Sequence, residues 1–309
     1  MTTTFECTGQ PRNMGCDQGR AQSSAVRAAV RAAGLPVRRS RIASLRPFTL
    51  GGTRGRGDGR EVIRHFTHLS ERIDGLARFA GVDVDSVFEL HLRAARGAAG
   101  EGPLTAPATA AAGIGLGGAS GIGLLRSLPA LADAHDAVCV RRSTPEVGFA
   151  SVEVTLPWLV SALAGVNAAG VCVAISPMRG WPHEPGPAAP THLLVQECLQ
   201  RFEDVDGCID WCLKRPVLGD ATLVLADARG QTATVDVRGR TRTVALREKG
   251  PLAADASGPI AAPGADAAER GLGVGEGGLV VALDAERRVL DLRGLGRMGD
   301  AAERITLEV

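Results

Sequence analysis

No uninterrupted apolar run in the chain approaches the roughly 20 residues a membrane-spanning helix needs, so no bilayer insertion is expected of it. Excess charge is also missing. With 35 basic and 34 acidic residues and a net charge of +1, there is no electrostatic reason to expect nucleic acid as a partner. The run Arg38, Arg39 and Arg41 is a local exception. Lysine is nearly absent, only Lys214 and Lys249, and the heavy use of arginine, alanine and glycine points to a GC-rich genome rather than to a partner. The seven cysteines are odd in number and lack close paired spacing, and no basic, then apolar, leader precedes them. A reduced, cytoplasmic protein is the expectation. His65 and His68 share a helical face and His91 comes later, yet no acidic or cysteine ligands stand at metal spacing, so neither a metal nor a cofactor is expected.

What remains is enough for a sizeable core: 309 residues, 45% of them hydrophobic. Arg12 to Arg20 leads into a helix that Gly34 and Pro36 stop, and Arg38 to Arg60 reads as a polar, glycine-rich connection. Glu61 to Phe79 spaces Val62, Phe66, Leu69, Ile73, Leu76 and Phe79 by three or four, which predicts one amphipathic helix. A second helix comes after Gly81 to Asp85. Leu104 to Ser127 predicts two short strands joined by a glycine turn. Its Gly113, Gly115 and Gly118 spell the dinucleotide fingerprint, but Ala119 to Leu128 makes a poor helix start with Pro129 close behind, so the turn reading is preferred. Further strands are expected at 137–142, 148–156 and 171–176, the last entered through a tight turn at Asn167 to Gly170. Helices are expected at His192 to Phe202 and Val205 to Leu213, with Cys198, Cys208 and Cys212 packing on them. Hairpins are expected at 223–237 and 278–292, separated by a long loop over Gly250 to Gly278.

Several of these segments carry a resemblance. Met14-Gly15 with Gly19-Arg20, the helix pair around Gly81-Val82, Gly165 to Gly170 with its Asn167, and Leu225-Ala226-Asp227 with Gly230 resemble the autoproteolytic acyltransferases similar to acyl-coenzyme A:6-aminopenicillanate acyltransferase. So does Ala108 to Ala112 followed by Leu124-Leu125-Arg126-Ser127, where the family has Cys-Thr-Ala-Phe-Ala and then Leu-Leu-Gly-Arg-Asn. The resemblance implies an α+β fold, a four-layer αββα sandwich of two stacked antiparallel sheets, of the N-terminal-nucleophile class. It also implies one domain over 1–309, with 1–107 corresponding to a propeptide or α-subunit and 108–309 to the β-subunit.

In that family chain cleavage frees the α-amine of a cysteine, which then serves as base for its own thiol. Here the matching residue is Ala108, which can neither ionise nor attack, and the chain is expected to stay uncleaved. Ser127 and Leu128 stand where an Asn and an Asp are expected, and Asp255 falls where an amide would donate to the oxyanion. A single engineered change would account for Ala108 but not for these others. Thr109 is the nearest replacement nucleophile, one strand position away and so on the opposite face; Thr105 has the same problem. The resemblance therefore singles out Ala108, Thr109, Arg126 and Asp255 as the catalytic positions and Asn167 as substrate-binding. It implies an acylated or amide-bearing small molecule as ligand, handled without a covalent step in natural-product tailoring. The alternative is an inactive homologue acting as a binding or scaffolding partner.

Overall fold

The computed structural model describes residues 2–37, 53–96, 110–114, 123–128, 138–177, 188–219, 221–239, 241–248, 252–255, 258–261, 279–294 and 304–309. Strand β1 (Thr3–Gly9) leads into α1 (Pro11–Ala21) and α2 (Ser23–Ala32), and α3 (Thr53–His65), α4 (Thr67–Ala80) and α5 (Val84–Arg96) come after them. Six strands come next: β2 (Ala110–Ile114), β3 (Gly123–Leu128), β4 (Cys139–Pro145), β5 (Ser151–Thr155), β6 (Ala164–Asn167) and β7 (Cys172–Pro177). A short β8 (Ala189–Pro190) precedes α6 (Leu193–Arg201) and α7 (Val205–Lys214). The chain then runs through β9 (Val217–Leu218), β10 (Ala221–Ala226), β11 (Gln231–Arg238), β12 (Thr241–Glu248), β13 (Leu252–Asp255) and β14 (Gly258–Ala261). It ends with β15 (Leu279–Asp284), β16 (Val289–Gly294) and β17 (Arg304–Glu308).

The architecture is mixed α/β. Among the described residues there are seven helices, an eight-stranded sheet ordered β1-β4-β5-β6-β7-β10-β11-β12 and a seven-stranded sheet ordered β14-β13-β2-β3-β15-β16-β17. Every residue of β5 and β10 is buried, so this part of the larger sheet is covered on both faces instead of alternating between core and solvent. On one side α6 lies against β6 and β7, and α7 against β11. From the other sheet, β2, β3 and β13 approach β10, while β15 and β16 approach β6. No described helix is long and apolar enough to cross a membrane.

Three expectations are corrected. The larger sheet is not wholly antiparallel, because β1 pairs with β4 in parallel; with α1 to α5 and two strands between them, the connection is long enough for the crossover a parallel pair requires. The single helix expected over Glu61 to Phe79 is two helices that break at Phe66, and α3 reaches back to Thr53, into the segment expected to be a connection. Val62, Phe66, Leu69, Ile73 and Leu76 are buried as their spacing predicts, whereas Phe79 is 43% exposed under the Arg20 guanidinium, 4.9 Å from its ring centroid. The long loop expected over Gly250 to Gly278 contains the β13–β14 hairpin, with Leu252 opposite Ala261 and Asp255 opposite Gly258. Its alanines and glycines carry no alternating pattern, and pairing with β2 supplies what local propensity does not.

The Met-Gly motif near the N-terminus has a packing explanation. A Cβ added at Gly15 would stand 2.0 Å from the Arg72 carbonyl oxygen, and one at Gly19 would stand 2.5 Å from that of Leu76. Across the contact, a Cβ at Gly75 would stand 2.1 Å from the Arg12 oxygen. The glycines let α1 and α4 touch backbone to backbone, which sets the first helices on the sheet.

Candidate functional site

Two of the positions singled out by sequence, Arg126 and Asp255, lie on strands beside the start of β2. Ala110, the first residue of β2, pairs with Arg126 of β3 on one side and with Ala254 of β13 on the other. Asp255 follows Ala254 and closes the β13–β14 hairpin. Arg126 and Asp255, more than a hundred positions apart in sequence, are thus brought by strand register to the two flanks of one strand end. Ala108 and Thr109 come directly before that end and lie outside the described residues.

Asn167 belongs elsewhere. At the far end of β2, Ile114 pairs with Gly123, and Gly123 with Asp284. The next residue, Ala285, meets the Asn167–Gly170 turn, where a Cβ on Gly170 would stand 2.6 Å from the Ala285 oxygen. Four strand positions, roughly 13 Å at 3.3 Å each, separate this end from Ala110. The Asn167 amide is also fully engaged. Its Nδ2 donates to the carbonyls of Leu199 (2.9 Å) and Phe202 (2.8 Å), and its Oδ1 accepts from the backbone N–H groups of Ala169 (3.1 Å) and Val171 (2.9 Å). In this structure Asn167 fastens the β6–β7 turn to the end of α6, and the substrate-binding role expected of it is corrected accordingly. Asp227 acts in the same way: Oδ1 accepts from Arg229 and Gln231, and Oδ2 from the Val205 N–H at the start of α7.

Sequence reasoning missed the most strongly buried polar cluster. On facing positions of β4 and β5, Arg141 and Glu153 are both fully buried, with Nε 2.6 Å from Oε2. Arg141 Nη1 donates to Gln18 Oε1 and the Leu159 carbonyl, and Nη2 to the Val160 carbonyl and Gln196 Oε1. Glu153 accepts from Ser151 and Gln196 at Oε1 and from Ser143 at Oε2. Burial alone would raise the Glu153 carboxyl; Arg141, Arg72 and these hydrogen bonds outweigh it and hold the group below the usual carboxylate range. With every donor of Arg141 used and no solvent access, the cluster ties α1, the sheet and α6 together and offers nothing to a substrate. The available signal was charge inside two strands whose neighbours are apolar, Val138 to Val140 and Val152 to Val154.

Nor do the cysteines supply a substitute nucleophile. Burial raises the thiols of Cys7, Cys16 and Cys172 above their ordinary range and pushes Cys139 up to about 12. Cys198 is raised by its hydrogen bond with the Cys208 thiol and by burial, against a lowering hydrogen bond from Cys212, and Cys212 is raised by its hydrogen bond with Cys198 and by burial. A reactive cysteine is shifted the other way. Among the described residues no group of three His, Cys, Asp or Glu side chains could hold a metal ion, and the histidines have separate partners: Glu61 for His65, Glu197 for His68, and Val87 and Val160 for His91.

No family model and no curated protein matches the chain. Solved structures do match in part. Penicillin V acylase from Agrobacterium tumefaciens aligns with a TM-score of 0.44 and 13% identity over 65% of this chain and 86% of that one. A mutant of the conjugated bile acid hydrolase from Clostridium perfringens aligns at 0.41 and 10%, over 65% and 97%. The Caenorhabditis elegans ortholog of N-acylethanolamine-hydrolyzing acid amidase aligns at 0.38 and 10%, over 47% and 68%. At these values the likeness is partial and decides nothing about activity.

Proposed function

We propose that this chain is a single-domain protein of the N-terminal-nucleophile acyltransferase and amide-hydrolase type, a four-layer αββα sandwich whose nucleophile position is occupied by Ala108. In this reading it remains one uncleaved polypeptide and binds an acylated or amide-bearing small molecule at the start of β2, in natural-product tailoring. The observation that carries the reading is the register there: Ala110 level with both Arg126 and Ala254, and Asp255 next in line. Residues selected by motif from distant parts of the chain have no reason to converge on one strand end unless the motifs describe the same arrangement. The single-domain reading is supported by the smaller sheet, which takes β2 and β3 from before residue 130 and β13 to β17 from after residue 250.

Without a thiol the acyl group has no atom at residue 108 to move to, so water attacks the substrate carbonyl directly. In that step the new C–O bond forms between water and the carbonyl carbon, Arg126, level with Ala110, stabilises the charge on the carbonyl oxygen, and the C–N or C–S bond then breaks as the proton of the attacking water passes to the leaving group. The test is turnover of a panel of acyl thioesters and N-acyl amines that includes penicillin V, a conjugated bile acid and an N-acylethanolamine. Hydrolysis of at least one, reduced about 10²-fold by Arg126→Ala, is the expected result. Absence of turnover together with saturable binding of an uncleaved amide would favour the second reading, a non-catalytic binding partner, for which the raised thiols of Cys7, Cys139 and Cys172 speak. Turnover indifferent to Arg126 would overturn the assignment of the site.

A further inference from the structure

Strand β17 closes one side of the seven-stranded sheet: it pairs with β16 and with no other described strand. Its register runs without a bulge, from Glu308 opposite Val289 to Arg304 opposite Arg293. Just past it, the Val309 N–H donates to the Arg288 carbonyl at 3.2 Å, so the strand is held in register to its end. An edge of this kind presents backbone N–H and C=O groups that can take a further strand. In Arg-Ile-Thr-Leu-Glu no proline or glycine interrupts it, and the charges stand only at its two ends.

Symmetry restricts what the edge can take. Residues directly opposite each other in an antiparallel pair lie on the same face, so a strand that pairs with its own copy about a two-fold axis must set one residue opposite itself. For β17 that residue is Thr306. Arg304 then falls opposite Glu308 of the second copy and Ile305 opposite its Leu307, and both pairs recur in reverse. The buried Leu292 and Leu290 are level with Ile305 and Leu307, so each apolar row continues into the second copy. The pairing also answers a conflict inside the chain: Arg304 stands opposite Arg293, a like-charge pair that opposes strand pairing, and the second copy places Glu308 at its other flank.

The remaining edges of the two large sheets fit themselves less well. Pro259, which has no N–H, lies in β14 at the other side of the same sheet. In the larger sheet, β1 centred on its middle residue sets Glu6 opposite itself. Centring β12 on Ala245 would set Arg242 opposite Glu248, but Arg242 Nη2 already donates to the Arg215 carbonyl.

From these registers we infer that β17 is a self-association edge, at which two copies of this chain join their seven-stranded sheets in antiparallel fashion about a two-fold axis at Thr306. Five residue pairs make a small interface, so the dimer is weak and forms only as concentration rises. β17 stands four strands from β2 in the sheet order, and the inference is independent of the proposed function.

The experiment is sedimentation velocity of the full chain from micromolar to millimolar concentration. A monomer–dimer equilibrium is expected. Arg304→Glu and Glu308→Arg each set like charges opposite one another twice per dimer, and each alone is expected to weaken association about tenfold. Mixed together, the two variants are expected to pair about as well as the parent does, because each supplies the charge the other lacks, and a chain carrying both changes is expected to recover self-association. Arg304→Glu removes the like-charge pair with Arg293, so its melting temperature is expected to hold. A monomer at every concentration would overturn the inference. So would a dimer that neither single variant weakens, which would belong to another surface, or single variants whose mixture stays monomeric, which would exclude the antiparallel register.

Discussion

Arg141 and Glu153 face each other across β4 and β5 with neither side chain exposed, and Arg72 stands over the same cluster with half its guanidinium unpaired. The two arginines are equally buried but not equally needed. Arg141 fills all five of its donor positions, whereas Arg72 Nε and Nη1 meet no partner among the described residues and Nη2 reaches Ser143 Oγ at 3.4 Å. Burial, with Arg141 nearby, lowers the Arg72 pKa to about 10.

Arg141→Met is therefore expected to cost about 3–5 kcal/mol of stability, because it leaves Glu153 charged, buried and unpaired. Arg72→Met is expected to lie within about 1 kcal/mol of the parent or to stabilise it, since it exchanges an unsatisfied cation for an apolar side chain of similar length. Urea unfolding of the two variants checks this. Equal losses would show that both cations balance the single carboxylate.

Stability is also expected to fall between neutral and mildly acidic pH. His91 is held neutral: its Nδ1–H donates to the Val87 carbonyl, Nε2 accepts from the Val160 N–H, and burial lowers its pKa to about 4. Burial, with His91 beside it, lowers His192 in the same direction. The unfolded chain takes up these protons first, so their contribution is complete above about pH 6.5 and is lost as pH falls toward the folded values, by about 1.4 kcal/mol per pH unit for each group. Glu153, also lowered, loses its share further down, below the ordinary carboxylate range. Urea midpoints at pH 7.5, 6 and 5 should decline, and less steeply for His91→Gln. A flat profile would mean that both rings open to water.

The backbone contact of α1 with α4 makes Gly15 and Gly75 intolerant of any side chain. Gly15→Ala is expected to cost about 1–3 kcal/mol or more, since the obstructing atom is the Arg72 carbonyl oxygen and not a side-chain end that could turn away. Gly34→Ala serves as the comparison: nothing stands within 4 Å of its Cβ position, so its cost is that of the φ of +66° alone, about 1 kcal/mol. Similar thermal shifts for the two would show that the helices separate easily.

Local chemistry made much of the fold legible. The hairpins around Asn167–Gly170 and Asp227–Gly230 carry turn residues between apolar runs, and α6 and α7 carry helical spacing, with Asp204 capping α7 through the Gly207 N–H. What stayed hidden depends on contacts distant in sequence. Nothing local marks the break at Phe66, where there is neither proline nor glycine, and nothing in Thr3 to Gly9 announces a parallel partner at Cys139 to Pro145. Asn167 shows the same limit at the site: an asparagine that staples a turn and one that meets a substrate read alike until Leu199 and Phe202 are found on its amide. Arg126 and Asp255 lie on strands that flank β2 because a strand register can unite residues that no spacing rule connects.

The central claim is that this chain has lost its covalent chemistry in several places and not at Ala108 alone. The direct measurement is intact mass of the parent and of Ala108→Cys, each incubated at neutral pH with and without a reactive acyl thioester. Effects within a catalytic group are strongly non-additive, and under the proposed function a restored thiol would still lack the neighbours for which Ser127, Leu128 and Asp255 stand. Both proteins are expected to remain single chains near 31.9 kDa, and the variant to gain little or no acyl group at residue 108. Prompt, complete splitting of Ala108→Cys between Pro107 and residue 108 would contradict the account and leave a competent site lacking only its sulfur.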